Sequence, residues 1–229
     1  MGRFRRAACG VLVVLGVEAG SGNGLFGQTA GNWTVTVGEL AHEVPGSAVR
    51  EFRAAMRAWN HHLTTNAMDH LLKAIAIDPQ LAPAHNNLGL MQLERGNLPD
   101  AEEQFGAAIA IEPRVAIAYY NLALTYRLEN RLRDAEMAAR QAIDREHPAQ
   151  SDALYLLGSV LLMEGRQIDE ALKFLRRSAR EYPVAHLVIA EALANQGDNA
   201  DAQQEVSEYL SSGNKKFRAA AFSRLAEHR

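Results

Sequence analysis

His61, His62, Asp69 and His70 place four potential metal ligands within ten residues, three of them from the chain's eight histidines. A metal hydrolase needs three ligands that converge on one ion and leave a position open for water. Adjacent side chains such as His61 and His62 diverge, and no HExxH-like spacing sets two imidazoles on one helical face. The expectation is a solvated turn, with a metal-dependent enzyme using His61, His62 and His70 as the alternative. His42, His85, His147, His186 and His228 are spread along the chain, and no spacing groups them.

Other catalytic patterns fail on context. Ser159 and Ser207 lack a G-x-S-x-G elbow. Gly22-Asn-Gly24-Leu-Phe-Gly27 matches G-x-G-x-x-G, but the chain then runs into Gly31-Asn-Trp-Thr-Val, an extended pattern and not a helix, so the glycines read as a linker. The pairs Glu102-Glu103 and Asp169-Glu170 stand where second helices begin, and there negative charge interacts favourably with the helix dipole. No enzymatic activity, cofactor or metal is expected. A net charge of -3 has no basic excess for phosphates, so nucleic acid is excluded as an expected partner. The single cysteine, Cys9, removes disulfide frameworks and Cys-based zinc sites.

The elements that position everything else emerge from internal periodicity. Pro79, Pro113, Pro148 and Pro183 are separated by 34, 35 and 35 residues. In that frame Leu88, Leu122 and Leu157 share a column, and Gly89, Ala123 and Gly158 share the next. Gly96, Asn130, Gly165 and Gly197 fall at a turn, where tolerance of positive φ is needed. Ala67, Ala101, Ala135, Ala171 and Ala202 form a small-residue column, and Ala74, Ala108, Ala142 and Ser178 another. Small side chains at these places let paired helices approach, with Gly89 expected to face Ala101 or Ala108. Apolar residues recur at i+3 and i+4 within each segment, as in Leu122, Ala123 and Tyr126, so the segments are helical.

Asn86 to Pro113 (NNLGLMQLERGNLPDAEEQFGAAIAIEP) and Tyr120 to Ile143 (YNLALTYRLENRLRDAEMAARQAI) resemble tetratricopeptide repeats, whose period is about 34 residues. The resemblance implies an all-α, right-handed α-solenoid of about five helical hairpins. The expected organisation is a signal segment (1–30), an extended lead-in (31–47), repeats at 48–81, 82–115, 116–150, 151–182 and 183–212, the last degenerate, and a C-terminal capping helix (213–229). One residue is inserted near Ile168, and the first repeat reads Asn60-His-His where others carry glycine.

The resemblance further implies that first helices line a concave groove that holds a protein or peptide partner. In this register the lining is Phe52, Met56 and Trp59, then Asn86, Leu90 and Leu93, then Tyr120, Leu124 and Arg127, then Tyr155, Ser159 and Leu162. Such a surface is expected to be more apolar than a solvated face. Asn87 and Asn121 match the family's recurrent asparagine, which implies amide bonds to an extended peptide. Relatives that clamp a terminal carboxylate use lysines with an arginine, whereas Arg127 is the only basic lining residue here.

The first residues obey a different pattern. Arg3, Arg5 and Arg6 precede the eleven-residue uncharged run Ala7 to Val17, an order of basic, apolar and small segments that predicts a secretory signal cut after Ala19 or Ala30. The run is shorter than the roughly 20 residues of a membrane anchor, so membrane contact is expected only before cleavage. Bacterial envelope, periplasmic or secreted location is the expectation, and a cytoplasmic co-chaperone or assembly factor with an uncleaved tail is the alternative.

Overall fold

The computed structural model describes residues 42–145 and 151–212. The signal segment, most of the lead-in and the capping helix expected from the sequence lie outside the described residues. The chain divides into two units, residues 1–43 and 44–229, and the helices below belong to the second. They are α1 (Gly46–Asn60), α2 (Thr64–Ile77), α3 (Ala82–Glu94), α4 (Leu98–Ile111), α5 (Ala116–Leu128), α6 (Leu132–Arg145), α7 (Ser151–Glu164), α8 (Ile168–Ser178), α9 (Ala185–Gln196) and α10 (Asn199–Ser211). Consecutive helices pair as five hairpins, and each hairpin stacks on the next to give an all-α solenoid.

Side-chain caps contribute little to these helices. Leu63, Leu81 and Val115 occupy N-cap positions without a capping bond, and the Asp198 carboxylate, which accepts from the Asp201 amide, is the exception at α10. Packing of small and apolar faces supplies the stability instead, as is usual for helices of about 13 residues. The alanines at 67, 101, 135 and 171 and Ala74, Ala108 and Ala142 are fully buried.

Four hairpins close with the same backbone bond. The amides of Leu63, Asn97, Arg131 and Asp198 donate to the carbonyls of Ala58, Gln92, Tyr126 and Leu193 at 2.8–3.0 Å, the six-to-one bond of a Schellman turn. The residue before each donor has positive φ: His62 (59°), Gly96 (78°), Asn130 (59°) and Gly197 (89°). His62 therefore does for the first hairpin what glycine does elsewhere, in a backbone region where histidine and asparagine are enriched among non-glycine residues. Between α7 and α8 the inserted residue lengthens the connection, and both Gly165 (67°) and Gln167 (53°) turn left-handed.

The close approach of paired helices is set one turn away from the expected contact. A Cβ added to Gly89 would lie 2.8 Å from the Phe105 ring, and one added to Gly158 would lie 2.6 Å from Leu175 Cγ and 2.9 Å from the Ala171 carbonyl oxygen. Gly89 thus faces Phe105, not Ala101 or Ala108, which flank the crossing on either side. Where the first helix lacks a Cβ the second carries a large, fully buried residue. In the third hairpin the corresponding positions are Ala123 and Ala139, both buried in one core cluster.

Candidate partner-binding face

Helices α3, α5, α7 and α9 contact one another along the stack, and no pair of second helices does so to the same extent among the described residues. The first helices therefore line one face, as the resemblance implies, but its residues divide into two groups. Phe52, Met56, Trp59, Tyr120, Leu124, Arg127, Tyr155 and Leu162 are partly exposed. Asn86, Asn87, Leu90, Leu93, Asn121 and Ser159 are buried.

The asparagines do not present free amides to a peptide. Asn121 Nδ2 donates to Asn86 Oδ1 at 3.1 Å, Asn86 Nδ2 to Asn87 Oδ1 at 3.3 Å, and Asn87 Nδ2 to Met56 Sδ at 3.3 Å. This chain of bonds runs from α5 through α3 to α1 and ties three hairpins together. Burial makes any other arrangement costly, because an unpaired amide would lose its hydration without return. Asn121→Ala should strand the Asn86 carbonyl and cost about 1–3 kcal/mol. In urea unfolding, Asn86→Ala combined with Asn121→Ala is expected to cost less than the sum of the single changes. Strict additivity would show that the two amides do not act together.

The remaining serine and histidine candidates also resolve. Ser159 Oγ donates to the Tyr155 carbonyl of its own helix at 2.8 Å. His61 and His62 are exposed in the turn, whereas His70 Nδ1 lies 2.7 Å from Glu51 Oε2 across the first hairpin. Of all His, Cys, Asp and Glu side chains described, one group of three comes together, and it excludes His61, His62 and His70. His61, His62 and His70 therefore do not converge as a three-ligand group among the described residues.

Exposed large apolar side chains are Leu63, Leu72, Ile77, Leu128 and Met137, mostly on second helices and turns. On the first-helix face the partly exposed apolar side chains are Phe52, Met56, Trp59, Tyr120, Leu124, Tyr155 and Leu162. Adjacent hairpins are joined by polar contacts repeated along the stack. Glu102 accepts from Tyr126 Oη at 3.0 Å and Arg131 NH1 at 2.7 Å, Arg140 pairs with Glu170 at 3.1 Å, and Arg176 with Glu205 at 3.2 Å. Glu102 is therefore structural, whereas its exposed neighbour Glu103 faces outward.

One stretch of the first-helix face carries an unbalanced charge. Tyr120 and Arg127 stand two helical turns apart on α5, and Tyr155 occupies the Tyr120 column on α7. Arg127 Nε is buried without a hydrogen-bond partner, and no described carboxylate forms an ion pair with Arg127. Burial pushes its guanidinium pKa down, against a smaller opposing influence of the Tyr155 and Tyr120 phenols. Burial also pushes the Tyr120 phenol far above its ordinary range. Asp152, at the start of α7, accepts a hydrogen bond from Tyr182. Tyr182 stacks on Tyr155 with ring centroids 5.8 Å apart and planes at 18°. Tyr182 sits in the α8–α9 connector, outside the columns that repeat register exposes, so periodicity gives no sign of it.

With this geometry in place the family is clear. Residues 70–103 and 120–186 each match a tetratricopeptide-repeat family model. The chain is a tetratricopeptide-repeat protein, of a fold whose members serve as interaction scaffolds for proteins or peptides. A crystal structure of MamA superposes with a TM-score of 0.64 at 22% identity, over 71% of this chain and 95% of that one. MamA from residue 41 onward, from Desulfovibrio magneticus RS-1, superposes with a TM-score of 0.68 at 14% identity, over 76% and 98%. YrrB, described as a TPR protein with an unusual peptide-binding site, gives 0.64 at 17% identity, over 77% and 92%. These likenesses establish the fold. No curated protein sequence matches significantly.

Proposed function

We propose that this chain is a non-catalytic adaptor of the bacterial cell envelope that holds a carboxylate-bearing peptide segment of a partner protein against its first-helix face, between α5 and α7. The observation that carries the reading is Arg127, a part-buried cation with an orphaned Nε and no described ion-pair partner. A buried charge without a partner is costly, and a ligand carboxylate would supply both the missing charge and a bidentate acceptor. Tyr120, Tyr155 and Tyr182 add aromatic surface, the residue type that commonly anchors an interface.

Titration of the full chain with labelled peptides of matched length, carrying either aspartate and glutamate or their amides, tests the site. Acidic peptides are expected to bind at least tenfold tighter, a difference of about 1.4 kcal/mol, and the advantage should shrink with salt. Equal affinities would refute anion recognition. Support for the envelope comes from the basic, apolar and small segments before Ala30. Protein from native cells is accordingly expected to start after Ala19 or Ala30 and to fractionate with the envelope. Intact Met1, found only in cytosol, would refute export.

A further inference from the structure

A second site, remote in sequence from the Arg127 region, is built by the last hairpin. His186 near the start of α9 faces Glu205 and Glu208 on α10, which stand three residues apart and so share one helical face. His186 Nδ1 lies 2.7 Å from Glu205 Oε2 and 3.6 Å from Glu208 Oε2, and the three donor atoms fall within 4.8 Å of one another. They border a cavity of about 350 Å³ that Arg176, Asp201 and Gln204 complete.

We propose that His186, Glu205 and Glu208 form a binding site for a divalent cation of the zinc class. Tetrahedral zinc with nitrogen and oxygen ligands at about 2.0–2.2 Å separates its donors by about 3.3 Å. The two distances from His186 Nδ1, 2.7 and 3.6 Å, lie on either side of that value, and the third donor separation is no more than 4.8 Å. Glu205 is 7% exposed, and its other oxygen accepts from Arg176 Nε at 3.2 Å. Arg176 thereby fixes the carboxylate and leaves Oε2 turned toward the imidazole, the kind of outer contact that orients metal ligands. Three carboxylates, counting Asp201, against one guanidinium favour a doubly charged cation. The cavity leaves room for water or a partner's side chain to complete the coordination. Such an ion would bridge α9 and α10 and couple the folding of the last hairpin to metal.

The first hairpin offers a contrast. His70 meets a single carboxylate, Glu51, which makes an ion pair but no chelate. His186 meets two.

Untagged full-length chain is titrated with Zn²⁺ against a chromophoric competitor, and with Co²⁺ as a spectroscopic substitute. One equivalent is expected to bind, with visible tetrahedral Co²⁺ bands and a higher melting temperature. Glu208→Gln, at an exposed position, should weaken binding at least about tenfold, the lower end of what even outer-shell changes cost. His186→Asn should abolish the Co²⁺ bands, and Glu51→Gln should leave affinity unchanged. If no equivalent binds, or if binding persists in both Glu208→Gln and His186→Asn, the group is a structural ion pair only and the proposal is overturned.

Discussion

Gly158→Leu is expected to lower the melting temperature by on the order of 10 °C, at roughly 2–4 °C per kcal/mol for a chain of this size. Even the first added carbon would sit 2.6 Å from Leu175 Cγ and 2.9 Å from the Ala171 carbonyl oxygen. Leu175 and Ala171 are fully buried, so neither can swing into solvent. Overpacking of this kind costs about 1–3 kcal/mol and occasionally more, and a leucine facing backbone belongs at the upper end. Gly89→Leu is also destabilising, but at Gly89 the closest obstacle is the Phe105 ring at 2.8 Å, a side chain with some freedom to tilt. The alanine pair separates the cases more cleanly: Gly158→Ala should cost more than Gly89→Ala in urea unfolding. A Gly158→Leu variant that melts like the parent would mean that α7 and α8 do not cross at this point.

That contact also shows where sequence reading succeeds and where it stops. The small-residue columns at 101 and 108 are legible because alanine recurs there every 34 or so residues, and both positions are fully buried. The crossing point is not legible. Small residues mark both the turns that touch and those that flank the touch, and only the fold places Phe105 opposite Gly89. The positive-φ turn is readable from Gly96, Asn130, Gly165 and Gly197, and His62 fills the same role without the usual residue type.

The candidate sites are less legible for a different reason. Periodicity assigns a residue to a helix face but does not say whether that face meets solvent or the adjacent hairpin. Asn86 and Asn121 fall on the expected face, yet they bond to each other at 3.1 Å across α3 and α5. His186 looks isolated in sequence because its partners Glu205 and Glu208 lie 19 and 22 residues away. The recurrence of a 19-residue separation in His85 with Gln104 and in His186 with Glu205 is a signal that a search for cross-hairpin pairs would find.

Arg127→Met should move stability and binding in opposite directions. In the free chain the substitution removes a part-buried guanidinium whose Nε has no partner and replaces it with an apolar side chain of similar length. Exchanging buried charge for well-packed apolar groups is often neutral or stabilising by about 1–4 kcal/mol, so the melting temperature is expected to rise. Toward an acidic peptide the same change removes the one cation of the first-helix lining, and affinity should fall at least tenfold, about 1.4 kcal/mol. Tyr120→Ala should weaken binding too, but Tyr120 is largely buried, so its stability must be measured beside its affinity. Glu103→Ala is the appropriate control, since Glu102 holds Tyr126 and Arg131 of the next hairpin. A residue retained for packing alone would lose stability when changed and leave peptide affinity intact. That outcome for Arg127→Met would remove this face as the binding site and direct attention to Leu72, Ile77 and Met137, which are exposed on the second helices.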